Sequence, residues 1–316
     1  MEKNAKIYIA GHVGMVGSAL VRTLEKHGFT NIIGKTIDEL DLTRQADVEH
    51  FFEHEKPEYV IIAAARVGGI GANMTYPAEF LVENLQIQTN LMNSAFKQNV
   101  KKMIFIGSAC VYPKDAKQPI SESELLKGEP ESSHEGYALA KICGIKACKF
   151  YHSEYGAEYM SVIPCNLYGY NDNFDVNRSH IIPGMIRRFH EAKINGLDKV
   201  TVWGSGKARR ELLFADDLAD ACLFLLDKGS GGDYYNIGYG VDYSVLELAE
   251  IIKKVVGYEG DIITDPSKPE GTLRRLMDTS KLNNMGCKPK TGIEDGLKLT
   301  YQWFLDNIDG KDEIVN

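Results

Sequence analysis

The sequence predicts a doubly wound α/β fold, a parallel sheet with helices on both faces, carrying a smaller C-terminal domain interleaved with it. Three observations predict it. Short, continuously apolar runs alternate with helix-period segments through the first half of the chain, the signature of strands buried on both faces. A glycine-rich turn joins the first apolar run to the first helical segment. After about Cys165 the texture changes to polar loops mixed with single strands and helices.

Taken in order, "KIYIAG" (6–11) reads as a buried strand and "GMVGSALVRTLEKHG" (14–28) as a helix stopped by glycine. "NIIGK" is a second strand and "ADVEHFFEHEK" a helix ahead of Pro57, while "YVIIAAA" (59–65) is a third strand. A long helix follows over 77–99, then the strand "KMIFIGS", a helix over 134–155 and the strand "YMSVIPCN". Right-handed crossovers leave few topologies for such a series. Beyond it, residues 166–184 read as a polar loop, followed by a basic helix "MIRRFHEAK" and a strand "VTVWGSG". Residues 210–229 read as a strand and an Asp-capped helix. "YNIGYG", the helix "SVLELAEIIKKVVG", a Pro/Gly/charged loop around 265–278 and a terminal amphipathic helix complete the chain. The sheet domain is expected over 1–165 plus 211–238, and the second domain over 166–210 and 239–316.

The 316 residues suffice for a substantial core, and 44% apolar with 25% charged residues is an ordinary globular balance. A net charge of −8 argues against nucleic acid or an anionic membrane as partner. No apolar run approaches the roughly 20 residues of a membrane span, and the N-terminus enters a strand pattern at once, so no signal peptide is expected. Six scattered cysteines without Cys-x-x-Cys read neither as a disulfide framework nor as a zinc site. These points lead us to expect a cytoplasmic protein with reduced thiols and no metal.

The turn is Gly11-x-x-Gly14-x-x-Gly17. In a dinucleotide-binding (Rossmann) turn, one glycine makes the bend, one lets the backbone approach a pyrophosphate, and one lets helix pack on strand. The helix N-terminus then offers oriented N–H donors to the anion. Alone the glycines are compatible with a plain turn; the strand before and the helix after make them specific.

Tyr137 and Lys141 lie four residues apart on one helical face. A neighbouring ammonium is expected to lower the phenol's pKa and make it an acid–base group. Ser108 closes the fourth strand, where doubly wound sheets place ligands, and is positioned to bond the same substrate oxygen. An isolated Tyr-x-x-x-Lys is more often a buried tyrosine beside a surface lysine; the glycine turn and the serine shift the balance to catalysis.

Together, the glycine turn, the strand-end serine and Tyr-x-x-x-Lys resemble the extended short-chain dehydrogenase/reductases. The stretches "AAARVGGIGANMTYPAEF", "IGSACVYPKDAKQPISESELL", "YALAKICGIKACKFYHSEYG", "SHIIPGMIRRFHEA" and "VWGSGKARRELLFADDLA" are similar to the GDP-L-fucose synthase family over nearly the whole chain. That resemblance implies conversion of GDP-4-keto-6-deoxy-D-mannose to GDP-L-fucose by 3,5-epimerisation and 4-reduction. It implies Cys110 and His180 as the acid–base pair of the epimerisation, although a lone buried cysteine or loop histidine is ordinarily inert. Thiol and imidazole, with reference pKa values of about 8.5 and 6.5, suit the chemistry.

For the cofactor, the resemblance implies NADP(H), with NAD(H) as the alternative, bound by Gly11, Gly14, Met15, Val16, Gly17, Lys35, Asp41, Leu42, Ala64, Pro164, Asn166 and Leu167, with Lys141 and His180 reaching it from the catalytic group. Relatives that prefer NADPH carry arginines where this chain has Val13 and Ile37; Lys35 is the substitute cation, and Asp38 offers a ribose acceptor instead. For the GDP-sugar, the resemblance implies Arg188, Trp203 and Arg210, with Glu270 and Arg275 as further contacts. It also implies a homodimer through a four-helix bundle of the 77–99 and 134–155 helices. Ala109 replaces a more usual serine, which keeps a C4-reductase without epimerisation, on a hexose or heptose, as the alternative. A 4,6-dehydratase would carry an acidic pair beside Ser108, and a non-catalytic sensor would lack Tyr137 or Lys141; neither fits.

Overall fold

Apolar runs too short to be helices become strands, and the computed structural model describes residues 1–175, 179–268 and 272–309. In chain order the elements are β1 (Ile7–Ala10), α1 (Met15–Lys26), β2 (Ile32–Ile33), α2 (Gln45–Glu55), β3 (Tyr59–Ile62), α3 (Ile70–Thr75), α4 (Pro77–Lys97), β4 (Lys102–Ile106), α5 (Glu135–Tyr155), β5 (Tyr159–Pro164) and β6 (Asn166–Tyr168). They continue with α6 (Ile181–Ile194), β7 (Lys199–Trp203), β8 (Arg209–Phe214), α7 (Ala215–Lys228), β9 (Tyr234–Ile237), β10 (Asp242–Ser244), α8 (Val245–Val256), β11 (Asp261–Asp265), β12 (Arg274–Arg275), α9 (Ser280–Asn284) and α10 (Ile293–Asn307).

Six strands form one sheet in the order β2-β1-β3-β4-β5-β9, every neighbouring pair parallel. Ile7, Ile9, Val60, Ile61, Met103, Ile104 and Val162 are fully buried in it, as a sheet covered on both faces requires. Burying each such side chain contributes about 1.5–3 kcal/mol. Helices α4 and α5 pack together, as do α1 and α7. The α4–α5 contact depends on glycine: a Cβ on Gly136 would stand 2.5 Å from the carbonyl oxygen of Pro77. Chain order changes direction between β1 and β3, so a crevice opens beyond their C-terminal ends.

A second hydrophobic cluster, including Phe174, Met185, Phe189, Leu248, Ile252 and Phe304, builds the smaller lobe. Its strand β8 pairs with β6, β10 and β12, and β7 pairs with β11. Strand β8 belongs to both cores, since Leu213 faces the first cluster while Leu212 and Phe214 face the second.

Several elements depart from expectation. The stretch expected as a loop from residue 166 opens with β6, which pairs parallel with β8 through Asn166–Leu212. Helix α6 begins at Ile181, ahead of the basic segment. The helix expected to be Asp-capped has Phe214 at its cap with no side-chain bond. Its Asp217 instead accepts from the backbone N–H groups of Lys290 and Thr291, both at 3.0 Å, and so ties down the C-terminal segment. The second strand shrinks to two residues, and β10, β11 and β12 are short pairings supplied by tertiary partners.

Candidate active site

The crevice begins at the glycine turn. Gly11 has φ +84°, a conformation that favours glycine, and a Cβ there would lie 2.7 Å from the backbone nitrogen of Ala64, which follows β3. A Cβ on Gly17 would fall 1.9 Å from the carbonyl oxygen of Gly11. Gly14 differs: it caps α1 with φ −72°, and the nearest atom to its Cβ would be 3.6 Å away. Nothing in the protein demands glycine at position 14, but close approach of a pyrophosphate to the helix N-terminus does. Met15 and Val16 form the first turn of α1, so the turn fits a dinucleotide.

At the adenosine end the cation is engaged. Lys35 donates to Glu39 at 3.3 Å, and Glu39 also accepts from the N–H and hydroxyl of Thr36. Asp41 accepts from the N–H and hydroxyl of Thr43, which holds its carboxyl below the usual range. The carbonyl of Leu42 accepts from Asn90 at 2.9 Å. Val13 and Ile37 are 61% and 77% exposed, uncovered apolar side chains at the positions where cations were sought.

The residues expected to be catalytic converge at the end of β4. Ser108 is extended and its Oγ accepts from the N–H of Cys110 at 3.4 Å, starting one 3-10 turn over Ala109–Val111. Lys141, 3% exposed on α5, donates to the carbonyl of Ile106 at 2.7 Å, which pins that helix to the strand end. Burial brings the Lys141 ammonium down to about 8. Its Nζ lies 5.7 Å from the ring centroid of Tyr137, and that ring meets Phe80 edge-on. The expected lowering of the Tyr137 pKa by Lys141 is overturned: burial, then the nearby Cys110, pushes the phenol up. Both effects favour the protonated form of the phenol. Burial also raises the Cys110 thiol, while the hydrogen bond to Ser108 and the charges of Arg275 and Lys141 oppose that rise.

His180 is the N-cap of α6, extended, with its carbonyl accepting from Gly184. Protein packed around its ring lowers the imidazole pKa, although the residue keeps solvent access. Pro164 ends β5, while Asn166 and Leu167 open β6 beside β8.

In the second lobe, Arg188 on α6 donates to the carbonyls of Gly184 and Thr201, with its guanidinium 5.9 Å from the Trp203 ring. Trp203 is 58% exposed rather than part of the core, and Lys268 stands 5.9 Å from the same ring. Such an open aromatic face ringed by cations suits a nucleobase and phosphates. Arg210 donates to the carbonyls of Arg209 and Thr272 and pairs in register with Arg275 across β8 and β12. Arg275, expected at the nucleotide, has its guanidinium on the thiol segment, donating to the carbonyl of Ala109 at 3.3 Å. Glu270 lies outside the described residues.

Sequence reasoning missed Glu131 and His134, which face Arg275 from the segment before α5. Their only signal was proximity to Tyr137 in the chain. Among the described residues no group of acidic, histidine or cysteine side chains is arranged to hold a metal ion.

The NAD dependent epimerase/dehydratase family model matches residues 7–238. GDP-L-fucose synthase 1 of Arabidopsis thaliana is 57% identical over 97% of this chain and 95% of its own length. GDP-L-fucose synthase of Escherichia coli K12 is 47% identical over 96% and 98%. The chain belongs to the NAD dependent epimerase/dehydratase family, in its GDP-L-fucose synthase branch. Among solved structures, a GDP-mannoheptose C4 reductase from Campylobacter jejuni with NADP bound superposes with TM-score 0.90 at 39% identity, covering 96% of this chain and 99% of that one. As a member of this family the chain is an NAD(P)-dependent enzyme with a Rossmann-like fold.

Proposed function

We propose that the chain converts GDP-4-keto-6-deoxy-D-mannose to GDP-L-fucose with NADPH. The convergence of Cys110 with Ser108, Tyr137 and Lys141 at one strand end carries this reading, because 4-reduction alone needs no thiol there. Beside a C4 ketone the C3–H and C5–H bonds are acidic. The Cys110 thiolate takes such a proton on one face, the electron pair moves to the C4 oxygen, and a proton is returned through His180 on the other. Ser108 and Tyr137 donate hydrogen bonds to that oxygen while it bears charge. NADPH, when bound at the glycine turn, supplies hydride to C4. Tyr137 then gives its proton to the C4 oxygen, and Lys141 steadies the resulting phenolate.

In this reading residues 1–165 with 211–238 hold the dinucleotide, and 166–210 with 239–316 hold the GDP-sugar. Arg188, Trp203 and Arg210 contact the nucleotide, Trp203 under the guanine. The alternative chemistry, C4 reduction without epimerisation, is favoured by one observation: Ala109 offers no hydroxyl beside the sugar ring. A similar solved structure is that of a GDP-mannoheptose C4 reductase, which is in keeping with this alternative. A homodimer through α4 and α5 is supported by Val82, Leu139 and Phe150, which those helices leave exposed. No helix among the described residues is long and apolar enough to cross a membrane, in keeping with a cytoplasmic enzyme.

Incubation with GDP-4-keto-6-deoxy-D-mannose and NADPH in D2O tests the reading. GDP-L-fucose with deuterium at C3 and C5 is the expected product; a 4-reduced sugar without ring deuterium would leave the C4-reductase reading in its place.

A further inference from the structure

The thiol of Cys110 presents a physical problem. As a base it must ionise, yet it is 9% exposed and burial disfavours the charged form. Four groups face it. Ser108 comes from its own turn, Tyr137 and Lys141 from α5, and Arg275 from β12, with Glu131 and His134 behind Arg275.

Only two of these are cations, and Lys141 is committed to the carbonyl of Ile106 and the Tyr137 ring. Arg275 holds the carbonyl of Ala109, one residue before the thiol, through Nη1. Among the described residues its buried Nη2 has no hydrogen-bond partner, and neither does the buried Nε2 of His134. Its position is enforced from both sides. β12 is in register with β8, Leu276 exchanges hydrogen bonds with Gln118 and Ile120, and the N–H of Met277 donates to buried Glu211. A side chain so held is a fixed charge rather than a mobile surface arginine, and a guanidinium keeps its proton where a buried ammonium does not.

We propose that Arg275 is a positioning residue for Cys110, its guanidinium anchored on the Ala109 carbonyl so that the thiol ionises for the epimerisation step. This rests on the proposed epimerase activity and deepens it. In the step itself the C–H bond of the sugar breaks and an S–H bond forms; Arg275 exchanges no proton and leaves the balance unchanged.

The test uses R275M, which keeps an apolar stem without charge, and R275K, which keeps charge without the fork. Iodoacetamide alkylation of Cys110, read by peptide mass spectrometry across pH on the ligand-free enzyme, reports the thiolate directly. Deuterium wash-in from D2O into GDP-4-keto-6-deoxy-D-mannose without NADPH reports the same group at work. R275M should move both pH profiles upward by about one unit or more, with R275K between it and wild type. Unchanged profiles with only a raised KM for the GDP-sugar would overturn the proposal and return Arg275 to the nucleotide. An alkylation shift in an enzyme whose wild type washes in no deuterium would uphold the Arg275–Cys110 coupling while the epimerase reading fails. Should R275M not fold, R275Q carries the same measurements.

Discussion

At the scale of single residues, the site divides its labour by burial. Tyr137 is kept protonated and Cys110 is pulled between desolvation and two cations, so the two should fail differently. Cys110→Ala is expected to abolish deuterium wash-in at C3 and C5 while NADPH binding, followed by fluorescence, is preserved. Tyr137→Phe should lower kcat for NADPH oxidation on the order of 10²–10⁴-fold, the usual worth of a general acid, read in a steady-state assay. Glu211 offers a pH test. It is fully buried, accepts from the N–H groups of Gly240 and Met277, and burial raises its carboxyl to about 7. Because the folded state then holds a proton that the unfolded chain releases, this group's contribution to stability falls as pH rises from about 4.5 to about 7 and is greatest below that window. Urea denaturation across that range should show a flatter profile for Glu211→Gln than for wild type.

The elements show why some segments were readable. α8 carries its own start signal, with the Ser244 Oγ accepting from Glu247 N–H and the Glu247 carboxylate accepting from Ser244 N–H. Ser244→Ala should cost about 0.5–2 kcal/mol in thermal or urea unfolding. β1, β3 and β4 were readable because burial on both faces makes them continuously apolar. β6 and β12 were not, since runs of two or three residues are too short to show a period and become strands only when β8 lies beside them. For the same reason the expectation of an Asp cap fails: the partners of Asp217, the N–H groups of Lys290 and Thr291, lie over seventy residues away in sequence.

Over the whole molecule, two cores share β8, so an arm of the second lobe can reach into the first. That sharing brings Arg275 to Cys110, and it brings Arg210 into line with Arg275. Elsewhere, the outer faces of α4 and α5 are partly apolar, with Val82, Leu139 and Phe150 exposed. If α4 and α5 form the proposed dimer, replacing Phe150, which is 58% exposed, by Glu should lower the mass to that of a monomer in size-exclusion chromatography with light scattering. Unchanged mass would remove the four-helix interface.

The sequence by itself determined the glycine turn, the placement of Ser108, Tyr137 and Lys141 that the proposed chemistry uses, and the alternation of strand and helix. Each of these is local, set by backbone sterics, helical spacing or the period of apolar residues. Only the tertiary structure decided the protonation of Tyr137, the exposure of Trp203, the engagement of Lys35 by Glu39 and the meeting of Arg275 with Cys110. Those depend on desolvation and on charges brought together from distant parts of the chain, and neither is written in residue spacing.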